Sequence, residues 1–302
     1  MFWTRLVSGI ILLIIAVGTM FVGDLPLLLV LLLCSLIAYR ELTKALGCNE
    51  LWLIQHLEEA GYTLVGTEPE QRALDKPMKF PIKANYLEVI GLIGVAAYYA
   101  VMYFSTDKVM LLMCIVAVFM AEMFCYVVTF PKYHADQVVA AVFAFLYAPL
   151  MLSFVYLTRM GEQGKYLVWL ILISSWGCDT CAYVVGKLIG KKKIFPLLSP
   201  KKSLEGCIGG MLGAALIGGI YGYFVVEPAF PDNQVYMTLA FICAIGAVMS
   251  MVGDLAASAI KRNCKIKDYG NLIPGHGGIM DRFDSMTVTA PMVYFLALLM
   301  LG

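Results

Sequence analysis

The feature that most constrains this chain is a succession of apolar runs, each about 20 residues long and so able to cross a bilayer as a helix. They fall at 5–23, 26–45, 86–104, 109–130, 137–157, 165–189, 207–226, 235–258 and 284–301. Of the 302 residues, 61% are hydrophobic and 14% charged, with a mean hydropathy of +0.82. A soluble domain carries about 25% charged residues. The expectation is an all-α, polytopic integral membrane protein with about nine transmembrane helices, forming a single membrane domain over 1–302. The connections between runs are too short to bury much of a core of their own. The first run carries Arg5 and lacks a small-residue cleavage site, so it reads as a retained span rather than a signal peptide.

Charge sets an orientation. With the N-terminus in the cytoplasm, every one of the 22 Lys and Arg residues lies on the cytoplasmic side except Lys108, Arg159 and Lys165. This positive-inside asymmetry predicts the N-terminus inside and the C-terminus outside. Three sizeable loops then share the cytoplasm: 46–85, 190–206 and 259–283. The first contains Glu50-Leu-Trp-Leu-Ile-Gln-His-Leu-Glu-Glu59, whose apolar spacing suggests an interfacial helix, with His56 at the surface. The nine Cys lie mostly in apolar runs and read as small core residues with free thiols. Cys178 and Cys181 form a CxxC inside a span, a poor context for redox or zinc chemistry.

Carboxylates inside membrane spans are costly and usually face a polar cavity. Away from the span ends three qualify: Glu122, Asp179 and Asp254. Glu122 has a plain alternative, a hydrogen bond within the bundle. Asp254 has company, because Ser258, Lys261 and Arg262 follow at i+4, i+7 and i+8, on one helical face. A helical rise places Asp254 about 10 Å below Lys261. Asp179 is followed on its own face by Tyr183, Gly186 and Gly190, small residues that admit another backbone or a ligand. The picture is a polar cleft sunk into the membrane and open to the cytoplasm.

Above that cleft, Ser199-Pro-Lys201-Lys202-Ser203 offers two hydroxyls and two ammonium groups. Gly275, Gly277 and Gly278 allow backbone N–H groups to approach an anion closely. Asp268, Asp281 and Asp284 interleave with Lys267 and Arg282. Carboxylates mixed with phosphate-binding cations make sense when a divalent metal bridges them, and Mg²⁺ takes one or two carboxylates plus phosphate oxygens. His276 could ligate a metal, but a phosphate or ribose contact suits a hard ion's site better. The residues point to a membrane enzyme handling a phosphorylated substrate with Mg²⁺ at the cytoplasmic surface, its catalytic segments within 174–284, and do not name the reaction.

At these positions the chain closely resembles the phosphatidate cytidylyltransferase (CDP-diacylglycerol synthase) family. Ser258, Lys261, Arg262, Lys267, Asp268, Gly270, Pro274, His276, Gly277, Gly278, Asp281, Arg282 and Asp284 match its signature with the right spacing. Asp179-x-x-Ala182-Tyr183-x-x-Gly186, the segment from Ser199 to Gly206, and Arg5-Leu-Val-Ser8-Gly9 also look like the family. The loop at 46–85 is longer than a compact bacterial member would have. The resemblance implies the reaction of CTP with phosphatidate to give CDP-diacylglycerol and pyrophosphate. It assigns Asp254 and Asp281 to the divalent metal (Mg²⁺, or Mn²⁺), with Asp179 a further acidic contributor, and leaves open a monovalent cation. Lys201, Lys202, Lys261 and Arg282 would hold phosphates. Ser199, Ser203, Asp268 and His276 would shape or contact the nucleotide site, and Ser258, Arg262, Lys267, Gly277 and Gly278 complete the substrate-binding set. The implied partners are CTP, phosphatidate and membrane lipid, with no nucleic acid, and a homodimer is compatible. The implied location is a bacterial inner membrane. Two rivals are a CTP-dependent lipid-alcohol kinase, which would need a base for its hydroxyl, and an anionic-solute transporter, for which the inverted repeats are not apparent.

Overall fold

The computed structural model describes residues 2–47, 85–105, 107–196, 198–229, 235–273 and 277–301. The loop expected at 46–85, with its interfacial helix and His56, falls almost wholly outside the described residues, as do Pro274, Gly275 and His276.

The described residues form nine long helices: α1 (Phe2–Val22), α2 (Asp24–Ala45), α3 (Tyr86–Phe104), α4 (Lys108–Val128), α5 (Ala135–Met160), α6 (Gly164–Ile189), α7 (Leu204–Ala229), α8 (Val235–Asn263) and α9 (Met280–Leu301). The last eight are long and apolar enough to cross a membrane, and α1 adds a shorter apolar stretch at Val7–Val22. The protein is a polytopic, all-helical membrane protein. The two largest shifts from the boundaries read in the sequence are that α8 continues past 258 to Asn263 and that α9 begins at Met280 rather than 284. Hydropathy stops at the first charges, but the helices do not. Lys261 and Arg262 sit in the last turn of α8 and Asp281 in the first turn of α9, where each complements the helix dipole.

Side chains start several helices. Asn85 accepts a hydrogen bond from Leu87 N, Asp107 from Val109 N and Ser203 from Gly206 N, satisfying N–H groups that a helix leaves unpaired. At the far end from the site, Arg159 donates to Met20 O and Phe21 O, the free carbonyls ending α1.

The site-bearing half is held together by close backbone approach. Helix α7 packs between α6 and α8, α8 packs on α9, and α9 packs on α5. A Cβ at Gly210 would lie 2.9 Å from Ala182 Cβ, and one at Gly218 would lie 2.5 Å from Cys243 Sγ. Small residues at these crossings let helices pack where lipid supplies no hydrophobic drive. Wide π-turns interrupt α5 at Leu146–Leu150, around Pro149, and α6 at Ile173–Gly177. Such turns are frequent at functional sites, and Tyr147, on the first, lies within electrostatic reach of Asp284 and Asp254.

Helix α4 is peripheral and packs on α3 and α5. Its Glu122 is fully buried, yet neither carboxylate oxygen meets a hydrogen-bond partner among the described residues. The hydrogen bond weighed for it in the sequence is therefore not made there.

Candidate active site

The C-terminal ends of α2, α6 and α8 and the N-terminal ends of α7 and α9 meet at one end of the bundle. Four aspartates converge there, all from the segments that the sequence singled out. Asp179 lies near the start of the final stretch of α6, Asp254 lies nine residues before the end of α8, and Asp281 and Asp284 lie in the first turns of α9. Asp179, Asp254 and Asp284 are within electrostatic reach of one another.

Two lysines answer them. Lys202, on the loop between α6 and α7, forms an ion pair with Asp254 at 2.5 Å. That loop is a compact arch. Leu204 N donates to Lys192 O, Lys193 Nζ donates to Lys201 O, and the Glu205 carboxylate accepts from Lys191 N and Lys192 N. Ser203 is buried at its foot, and its Oγ caps α7. The Ser203 hydroxyl thus shapes the arch rather than facing outward. Ser199 is partly buried on the arch and Lys201 is exposed.

Lys261, on the last turn of α8, donates to Asp281 Oδ1 at 2.9 Å. The other carboxylate oxygen accepts from Tyr269 N at 2.8 Å and from Gly278 N at 3.0 Å. Two consequences follow for the loop from 264 to 279. Tyr269 is buried, its hydroxyl donates to Ala257 O, and its ring lies 5.3 Å from Lys261 Nζ. Burial, reinforced by neighbouring Tyr147, Cys264, Asp281 and Asp284, pushes its phenol pKa up, so it stays a donor. Gly277 has φ +84, and a Cβ there would lie 2.9 Å from Asp281 Oδ2, so glycine is required twice over.

Arg262, Lys267, Asp268 and Arg282 are exposed around this loop, and Ser258 is partly buried on α8. They rim the cleft without joining the carboxylate cluster through any hydrogen bond among the described side chains. The structure adds residues that the sequence reading passed over. Glu41, on α2, accepts from Ile279 N at 3.1 Å and Met280 N at 2.8 Å. Its signal in the sequence was faint: one carboxylate beside Arg40 at the end of an apolar run.

Chemically, the cluster suits a hard cation. Its donors are carboxylate oxygens, and Asp179 accepts no hydrogen bond among the described residues. Asp281 has three of about four lone-pair positions engaged. As arranged, no group of three or more His, Cys, Asp or Glu among the described residues closes to metal-binding distance. A divalent ion held here would need oxygens beyond these carboxylates to complete its shell.

Residues 73–300 match the model of the cytidylyltransferase family. The chain is 38% identical over 143 residues to the phosphatidate cytidylyltransferase of Bacillus subtilis (strain 168), covering 47% of this chain and 51% of that protein. It is 34% identical over 154 residues to that of Rickettsia felis, covering 50% and 67%, and 36% identical over 164 residues to that of Thermotoga maritima, covering 54% and 60%. The matches thus span about half to two thirds of these curated relatives.

Proposed function

Because the chain belongs to the cytidylyltransferase family, we propose that it transfers the cytidylyl group of CTP to phosphatidate, giving CDP-diacylglycerol and pyrophosphate in phospholipid synthesis. One observation carries the reading beyond the family: two lysine–aspartate pairs, Lys202–Asp254 and Lys261–Asp281, at the end of the bundle where the basic residues gather. An enzyme that must bring two polyanions together needs both signs of charge in one cleft.

A phosphate oxygen of phosphatidate attacks the α-phosphorus of CTP. The bond to the bridging oxygen of the β-phosphate breaks, and pyrophosphate leaves. A phosphomonoester has a second pKa of about 6, so the nucleophile is already ionised at neutral pH and no side chain must act as a strong base. This agrees with a site whose described central groups are carboxylates and ammonium groups. Asp254 and Asp281, with Asp179 as a further acidic contributor, would hold Mg²⁺ or Mn²⁺, which supplies charge neutralisation on the phosphates. Lys202 exchanges its carboxylate for a phosphate oxygen when CTP enters, and Lys261 adds positive charge from its place beside Asp281. Lys201, Arg262, Lys267 and Arg282, exposed at the rim, receive the outer phosphates. The loop around Gly277 and Gly278, with Ser199, Ser258, Asp268 and His276, shapes the nucleotide site. Ser203 holds the arch that carries Lys202. The acyl chains enter sideways from lipid. The positive-inside asymmetry puts this face in the cytoplasm, with the N-terminus inside and the C-terminus outside, and bacterial relatives suggest a bacterial inner membrane. A homodimer is compatible with the apolar outer faces.

Purified protein incubated with phosphatidate, Mg²⁺ and CTP labelled at the α-phosphate should yield labelled lipid. Label entering lipid only from the γ-phosphate would make the chain a kinase. No lipid label from either position would defeat both readings and favour transport.

A further inference from the structure

We propose that Glu41 is a positioning residue of this site, and that α2 is therefore a working part of it although it lies outside the stretch matched to the family, 73–300. The inference rests on the cytidylyl-transfer reading for its kinetic consequence, but its geometry does not.

Glu41 lies in the last turns of α2 and is buried. A carboxylate is expensive to bury unless its oxygens are satisfied. Here Oε1 accepts from Ile279 N and Oε2 from Met280 N, the N–H groups that open α9. The partners are 238 and 239 residues away in sequence. The charge also faces the positive end of the α9 dipole. The residue after Met280 is Asp281, so Glu41 fixes the backbone from which that carboxylate projects.

A second set of contacts points the same way. A Cβ at Gly270 or at Gly278 would collide with the Glu41 carboxylate, so both strands of the loop close directly on it. Asp281 Oδ2 takes its hydrogen bonds from Tyr269 N, next to Gly270, and from Gly278 N. Glu41 thus touches the chain at or beside both donors to Asp281, and holds the turn on which Asp281 stands. A cap that served the helix alone would need only the first pair of contacts. The neighbouring Arg40 pairs with Glu88 at an exposed position and tethers this turn of α2 to α3, without reaching the loop.

The test is Glu41→Gln in the full chain, with Arg40→Gln as the control. Glutamine keeps the shape, removes the charge, and sets an N–H donor against one of the two backbone donors. We expect kcat to fall about tenfold with KM for phosphatidate within about twofold, the pattern of a lost transition-state contact rather than lost binding. Hydrogen exchange should quicken in peptides covering 269–282 and stay unchanged elsewhere, while Arg40→Gln moves neither readout. Unchanged kcat, or faster exchange throughout the bundle in proportion to a general loss of stability, would overturn the positioning role. Should wild-type protein transfer no cytidylyl group, the proposed function fails on its own, and exchange then decides the matter: local quickening at 269–282 supports Glu41, and no change refutes it.

Discussion

In the pair formed by Lys202 and Asp254 the side chains keep 20% and 30% of their surface exposed, whereas in that formed by Lys261 and Asp281 they keep 15% and 2%. The first pair joins a loop to a helix and has no further hydrogen bonds on its carboxylate among the described residues. The second joins two helix ends, and its carboxylate also closes the loop between them through Tyr269 N and Gly278 N. The two arms carry the same charges but are differently built. The open arm can trade partners when a ligand arrives. The closed arm is part of the scaffold and has little freedom to do so. The difference teaches that Asp281 is built into the architecture of the cleft while Asp254 is not, so that under the proposed function Asp254 would serve chemistry alone and Asp281 both.

Removing the carboxylate charges should produce the largest effects and break the likeness between the arms. Asp254→Asn and Asp281→Asn should each lower cytidylyl transfer by more than about 10³-fold, beyond the loss of a single transition-state donor, while both proteins still reach the membrane folded. Their stabilities should differ. Asp281→Asn should cost about 3 kcal/mol, as expected when a buried pair loses one partner. Asp254→Asn should cost less, about 1 kcal/mol, because Asp254 itself is partly exposed although the Lys202 ammonium is buried. Thermal unfolding of the solubilised proteins separates the two, and equal losses would erase the distinction.

The lysines come next. Lys261→Ala should reduce turnover about 10²-fold and Lys202→Ala about tenfold, since losing Lys261 also strips Asp281 of its ion-pair partner at the closure of the loop. Steady-state rates at saturating CTP check the order, and the reverse order would contradict it. The smallest effects concern the supports of each arm. Ser203→Ala removes the α7 cap under the arch, and Tyr269→Phe removes the hydrogen bond to Ala257 O. Each should cost about 1 kcal/mol of stability. Turnover should fall less than about threefold in each, measured by the same lipid-labelling rate.

How much of this was legible in the sequence depended on distance along the chain. The spans were readable because membrane thickness writes itself as length, and Asp179 and Asp254 because a carboxylate in an apolar run has few innocent explanations. The run from Lys261 to Asp284 was readable because its residues are neighbours in sequence and in space. Glu41 was not, since its partners lie on the other side of the chain and nothing local announces them. Tyr269 carries no local mark of its role either, because its backbone N–H and hydroxyl meet Asp281 and α8 only in the folded chain. The π-turns left no apolar signature, and Pro149 alone hinted at one. The pairing of lysines with aspartates also escaped: the sequence marked all four groups but could not say which ammonium met which carboxylate.

The most direct test of the account is the stoichiometry of a single reaction. Purified protein, phosphatidate, Mg²⁺ and α-labelled CTP should give labelled lipid and pyrophosphate in equal amounts, with both products lost together in Asp254→Asn and in Asp281→Asn. Nucleotide consumed without labelled lipid, or labelled lipid formed at the wild-type rate by either variant, would contradict it.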